Sequence, residues 1–321
     1  MLVASAAAPL GHHGGPNPEA PAPMTLPLRD LANRLGQEVE SATPVSGGCI
    51  HSAWLLRLAD GSSLFAKSNR SDQLPVLEAE RQGLLALAAA TDGSLRIPRP
   101  HLCAEVGGQA LLVMGALPLA KGAIGARSWS SLGAALARLH RRSLQLGSAR
   151  FGWGTDNFIG SGVQCNGWAD GWGTFFAERR LAPQFAWAAA KGLRFKGAAE
   201  LLEQVPRWLD RHGAAPCLVH GDLWSGNAGV LEDGTGCLFD PAVHHGDREV
   251  DLAMAGMFGG FSPAFFEGYE REWPLAAGHR QRVPLYNLYH LLNHANLFGG
   301  GYGAQAQRCL EELLRDPPLL P

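Results

Sequence analysis

One short run constrains this chain more than any other: His220-Gly221-Asp222-Leu223-Trp224-Ser225-Gly226-Asn227, followed downstream by Phe239-Asp240-Pro241. An apolar run, Cys217–Val219, leads into the first segment, and a second, Cys237–Phe239, delivers Asp240. Asp222 and Asn227 have the Asp-x4-Asn spacing of a phosphoryl-transfer catalytic loop, and an aspartate at the end of a following strand suits a metal ligand. The chemistry explains the residue types. Phosphoryl transfer needs little covalent help from protein; it needs neutralised phosphate charge and an aligned nucleophile. Mg²⁺ prefers hard oxygen ligands and keeps several waters, so one amide oxygen and one carboxylate suffice, here Asn227 and Asp240. Asp222 is then placed to orient an attacking hydroxyl and accept its proton. Taken singly, each of these residues reads as a turn former or helix cap. The joint pattern is what points to a site.

Such a site needs a nucleotide clamp, and the first third of the chain offers one. Apolar spacing predicts a helix over Leu26–Leu35, with Leu28, Leu31 and Leu35 on one side. Strands are expected at Glu38–Val45, Ala53–Leu58 and Ser63–Lys67, with a hairpin turn at Asp60-Gly61. Lys67 ends its strand, and Glu80 lies on the next expected helix, Leu74–Ala90, where it can hold the lysine in an ion pair. The Gly47-Gly48 loop lets backbone N–H groups approach phosphates, although a glycine pair also fits any hairpin. Ile97-Pro98-Arg99-Pro100 breaks the chain, and Ala110–Met114 reads as a buried strand. Helices dominate thereafter: one capped by Ser128 and running to Arg142, then Gly167–Leu181, Ala198–His212, Val283–Leu297 and Gly303–Leu314. The strand-rich island from Cys217 to Asp240 interrupts them. The expectation is an α+β, two-lobed protein-kinase-like fold with a small antiparallel-sheet N-lobe and a mainly helical C-lobe. Residues 1–24 are expected to form a disordered tail, 25–115 the N-lobe and 116–321 the C-lobe, with the boundary near Gly115–Lys121.

Beyond these motifs, the chain closely resembles the fructosamine-kinase (ketosamine-3-kinase) family, relatives of the aminoglycoside phosphotransferases. The resemblance runs from about Gly47 to Leu314 and rests on Leu218–Asn227, on Phe239-Asp240-Pro241-Ala242-Val243 and on Gly246–Ala253. Asp156–Gly160 with Gln164 and Asn166, and Leu291–His294 with Phe298–Tyr302, are similar to segments a generic kinase would lack. The resemblance implies ATP-dependent, Mg²⁺-assisted phosphorylation of the 3-hydroxyl of fructosamine, ribulosamine or erythrulosamine adducts. These are free ketosamines or glycated protein lysines. A 3-phosphate makes the adduct prone to eliminate, so the implied outcome is deglycation. Carried over by motif, Asp222 is the base, Asn227 and Asp240 hold Mg²⁺, and Lys67 with Glu80 clamps the phosphates. The linker Met114-Gly115-Ala116-Leu117 receives adenine. Gly115 departs from the acidic residue that members often carry there. Cys49 matches a cysteine that some relatives have in the phosphate loop. A thiolate there would be stabilised by nearby N–H groups, so the protein is expected as a monomer or as a dimer disulfide-linked through Cys49. The competing reading is a phosphotransferase for another small hydroxyl compound, such as an aminoglycoside or choline. A strongly acidic pocket would favour it. A non-catalytic nucleotide-binding module is disfavoured because every catalytic position is filled.

Weaker candidates remain open. Asn157, Gln164 and Asn166 suit either a polyhydroxyl substrate or loop capping, and Trp224 either a sugar face or interlobe packing. Asp247, Glu249 and Asp251 suggest a second metal less well than a structural role, in which Asp251 buttresses the catalytic loop. His290 and His294 sit one helical turn apart without a third ligand type. The formal net charge of −2 and the absence of any Lys/Arg block argue against nucleic acid or an anionic membrane as partner. No apolar run approaches the ~20 residues needed to span a bilayer. Six scattered cysteines without a CxxC pair fit reduced thiols, and hence a cytoplasmic protein.

Overall fold

The computed structural model describes residues 25–45, 50–146 and 148–318. The chain begins with α1 (Leu28–Leu35), β1 (Val39–Val45), β2 (Ser52–Leu58), β3 (Ser63–Arg70) and α2 (Leu74–Ala90). Then come β4 (Leu95–Arg96), β5 (Pro100–Val106) and β6 (Gln109–Gly115). A five-stranded antiparallel sheet of order β1-β2-β3-β6-β5 forms from them. Both faces of this sheet are covered, which is why Leu64–Ala66 of β3 and Ala110–Met114 of β6 read as apolar runs rather than as alternation. Leu64 and Ala66 of β3 pack with Leu111 and Val113 of β6 and Leu31 of α1. Phe65, Leu112 and Met114 face the other way, onto Leu77, Leu84 and Leu87 of α2. Strand alternation puts Lys67 on the same side as Phe65, towards α2. On α2 the 3.6-residue period puts Glu80 in the stripe of Leu77, Leu84 and Leu87. Two simple periodicities therefore aim the lysine and the glutamate at each other.

The second region is mainly helical. It holds α3 (Ala126–Leu146), the hairpin β7 (Asn157–Ile159) and β8 (Gly162–Gln164), α4 (Trp172–Phe175), a π-helical segment (Phe176–Leu181), α5 (Ala182–Ala190) and α6 (Ala198–Asp210). Short strands β9 (Cys217–Val219), β10 (Ala228–Val230), β11 (Gly236–Leu238) and β12 (His244–Gly246) precede α7 (Glu249–Met257), α8 (Pro263–Glu272), α9 (His279–Phe298) and α10 (Tyr302–Arg315). β10 and β11 form a hairpin, β12 pairs with β9, and β4 adds in parallel to β11, which ties the two regions together. α3 and α8 cross in backbone contact. A Cβ on Gly133 would meet the Phe265 carbonyl oxygen at 1.9 Å, and one on Gly268 would meet that of Ser130 at 2.1 Å.

The fold is the expected two-lobed, protein-kinase-like one, with local corrections. Ser128 is no cap, because α3 already starts at Ala126. The helix expected from Gly167 starts at Trp172. The Pro-containing break opens into β5, an edge strand where the missing proline N–H costs no ladder bond. Among the described residues no helix is long and apolar enough to cross a membrane.

Candidate active site

Lys67 is buried at 8% exposure, and its ammonium is held by three carboxylate oxygens. Nζ donates to both Glu80 oxygens at 2.8 Å and to Asp240 Oδ1 at 2.7 Å. Burial alone would lower its pKa, but the charges of Asp240 and Glu80 outweigh it and hold the amine above its ordinary range. The ammonium therefore stays charged at neutral pH and spans the two lobes, from β3 to Asp240, two residues past the end of β11.

Asp240 has φ of +56°, and it is the only described non-glycine residue with positive φ. That conformation costs energy for an L-residue and persists where surrounding structure enforces it. Asn227 supplies part of that structure. Its Nδ2 donates to Asp222 Oδ2 at 3.0 Å, to the Asp222 carbonyl at 2.9 Å and to the Asp240 carbonyl at 3.4 Å. Its Oδ1 makes no hydrogen bond with any described side chain or backbone group, which leaves the amide oxygen available. Lys67, Glu80, Asp222, Asn227 and Asp240 thus converge on one place. Burial first, then the like charge of Asp240, push the Asp222 carboxyl up to about 7, against the hydrogen bond from Asn227.

The loop carrying Asp222 is clamped from behind. Buried Asp251, in the first turn of α7, accepts the backbone N–H groups of His220 at 2.7 Å and Gly221 at 2.8 Å. This is the buttressing role expected of it. His140 of α3 adds a third contact through Nε2 at 3.1 Å, while its Nδ1 pairs with the Tyr269 hydroxyl at 2.8 Å. With a neutral ring, the proton on Nε2 leaves Nδ1 to accept from the tyrosine hydroxyl. His220 Nε2 donates to the Phe239 carbonyl at 2.9 Å, which links the loop to the strand that delivers Asp240. Gly221 has φ of +80°, and a Cβ there would sit 2.1 Å from the Ala242 carbonyl oxygen, so only glycine fits. His140 carries no sequence signal, because its partners Asp251 and Tyr269 lie more than a hundred residues away; His220 belongs to the catalytic run, but its bond to Phe239 is visible only in the fold.

The other expected residues divide. Gly47, Gly48 and Cys49 lie outside the described residues. Met114, Gly115, Ala116 and Leu117 lie at the end of β6, where Met114 and Leu117 are buried and the Gly115 N–H donates to the Arg99 carbonyl at 2.9 Å. Trp224 is half-buried inside the catalytic loop, with its N–H on the Asp222 carbonyl at 3.2 Å. Asn157, Gln164 and Asn166 do not present their amides to solvent, at 4%, 1% and 0% exposure. Asn157 Nδ2 donates to the Val243 carbonyl, and Gln164 Nε2 to Asn157 Oδ1 and the Ala242 carbonyl. Asn166 pairs with Asn157 Oδ1 and accepts from buried Arg180. Of the two readings left open for these three, sugar ligand or structural cap, their buried bonds fit the structural one, an internal brace under Ala242-Val243, because a buried amide must find its partners inside the protein. Asp247 is engaged by His212 and the Tyr286 hydroxyl, and Glu249 by Nε and one terminal amino group of Arg282. A protein cation already neutralises that cluster. His294 Nδ1 is spent on the His290 carbonyl at 2.8 Å.

Comparison with known proteins identifies the family. Residues 24–316 match the family model described as fructosamine kinase. The chain is 43% identical over 299 residues to a "Probable ketoamine kinase" of Synechocystis sp., covering 92% of this chain and 98% of that one. A candidate fructosamine-3-kinase from Thermobifida fusca, known from a crystal structure, superposes with a TM-score of 0.78 at 30% identity, covering 90% of this chain and 98% of its own. One from Haemophilus somnus gives 0.80 at 26% identity, covering 89% and 96%.

Proposed function

The chain belongs to the fructosamine kinase family and is an ATP-dependent phosphotransferase acting as a ketosamine kinase; on that premise we propose that it phosphorylates the 3-hydroxyl of ketosamines, using Mg²⁺. The observation that carries the reading is the single convergence of Lys67, Asp240, Asn227 and Asp222. Its donor set suits a magnesium–triphosphate: an ammonium fixed between carboxylates, a carboxylate half open to water and an uncommitted amide oxygen. Asp240 and Asn227 would hold the metal, which supplies charge neutralisation on the phosphate oxygens.

The protein's own part is positioning and one proton. Glu80 holds Lys67 rigid against the phosphates. Asp222 is bonded to Asn227 through Oδ2, and its Oδ1 orients the acceptor hydroxyl and takes its proton. A carboxyl titrating near 7 is well matched to that task at neutral pH. The 3-phosphate of a ketosamine weakens the adduct towards elimination and frees the amine, so the outcome would be deglycation of free amines or of protein lysines. Sugar length is decided by pocket shape, and the substrates to compare are fructosyl-, ribulosyl- and erythrulosyl-lysine.

The test is a phosphorylation assay with those three compounds beside an aminoglycoside and choline. At least one ketosamine should accept phosphate. Asp222→Asn should lower kcat by about 10²–10⁴-fold, the usual worth of a positioned general base, while nucleotide affinity stays within threefold. If none of the ketosamines reacts while an unrelated alcohol does, the substrate assignment is wrong.

A further inference from the structure

Given the phosphotransferase reading above, we propose that His51 is a nucleotide-touching residue, its Nε2–H donating a hydrogen bond to a phosphate oxygen of bound ATP. Three observations converge on it. The β2–β3 ladder pairs Ser52 with Ser68 and Ala53 with Lys67. Side chains alternate along a strand, so His51 and its cross-strand neighbour Asn69 share the sheet face of Ala53 and Lys67, the face over the site.

The tautomer follows from hydrogen bonds rather than from assumption. Asn69 Oδ1 accepts the Arg70 N–H at 2.8 Å, and its Nδ2 donates to the Ile50 carbonyl at 3.1 Å, which orients the amide from both ends. The same Nδ2 lies 2.8 Å from His51 Nδ1, so Nδ1 accepts and the ring proton sits on Nε2. No other described residue hydrogen-bonds to Nε2. The ring is half-buried and close enough to Lys67 and Asp240 to feel both charges. Burial, then Lys67, push its pKa down to about 4, with Asp240 opposing. The imidazole is therefore a neutral donor at pH 7. It would supply a directed N–H beside the Lys67 ammonium without adding a second buried cation.

The alternative is a clasp that only fastens the start of β2 to the end of β3. The two are separated by ligand. Wild type, His51→Phe, His51→Ala and His51→Gln are titrated calorimetrically, with magnesium present, with a non-hydrolysable ATP analogue and, separately, with adenosine. Losing a hydrogen bond to a charged acceptor should weaken the analogue by roughly 10- to 100-fold in the Phe and Ala variants. Adenosine affinity should stay within twofold. His51→Gln, whose side chain carries an N–H in a similar place, should recover most of the loss. The Ala variant keeps the test open should Phe fail to fold. Unchanged analogue binding without the imidazole overturns the proposal, as does an equal loss for analogue and adenosine, which is the mark of a clasp. A wild-type protein that binds neither ligand overturns the phosphotransferase reading and this proposal with it. Normal wild-type binding with an indifferent His51 overturns this proposal alone.

Discussion

Replacing Asp251 by Asn separates a structural clamp from an ordinary buried carboxylate. Asp251 is 1% exposed and accepts from His220 N–H, Gly221 N–H and His140 Nε2. Burial alone would raise its pKa, but the contacts from His140 and His220 hold it below the usual carboxylate range, so it is charged across the working pH. Oδ1 serves Gly221, and Oδ2 serves both His220 and His140. An asparagine keeps only one oxygen. In its better orientation the amide nitrogen faces the Gly221 N–H, which loses one charge-assisted bond and sets donor against donor. That is worth about 2.5–6 kcal/mol, from about 1.5–3 for the bond plus about 1–3 for a buried unpaired N–H. The reverse orientation strands two donors and costs more. Against a typical total of about 5–15 kcal/mol the loss is large but survivable over most of that range. Urea denaturation at pH 7 should show it as a lower midpoint at unchanged slope. Because the stranded donor lies in the segment that aims Asp222, kcat of the folded variant should also fall while ATP affinity holds. A variant within 0.5 kcal/mol of wild type (roughly the scatter of neutral surface changes) and within twofold in kcat would refute the clamp.

Two further outcomes test the fold around the site. Gly133→Ala should destabilise by about 3 kcal/mol or more, because its Cβ would overlap the Phe265 carbonyl at 1.9 Å and neither backbone can yield alone. Gly256→Ala, whose Cβ would meet only Phe266 at 3.8 Å, should be neutral or stabilising by up to about 1 kcal/mol; thermal melts of the pair decide it. His290 is buried and pushed down to about 3 by burial and then by His294. Below the ordinary value of 6.5 the unfolded chain takes up a proton that the folded chain refuses, so this histidine costs stability as pH falls from 6.5 towards 3. The cost is about 1.4 kcal/mol per pH unit, or about 2 at pH 5. His290→Gln should flatten the stability–pH slope between pH 6.5 and 5 by about one proton; an unchanged slope contradicts the burial argument.

What the sequence determined by itself was whatever depends on short-range periodicity. Asp222 and Asn227 share one loop, Asp240 follows closely on a strand, Lys67 alternates onto the α2 side of β3, and Glu80 falls in the apolar stripe of α2. Each of these is a spacing of a few residues, and backbone geometry turns such spacings into directions. Tertiary structure alone decided which buried polar groups would meet. Asn157, Gln164 and Asn166 left sugar binding and loop capping equally open from sequence, and long-range packing drew them beneath Ala242-Val243. His140 reaches Asp251 from more than a hundred residues away, His51 finds Asn69 only through the strand register, and Gly133 with Gly268 marks a helix crossing that no local pattern announces. The reason is physical: a buried donor or acceptor must be satisfied by whatever group folding brings within about 3 Å, and sequence distance carries no information about that.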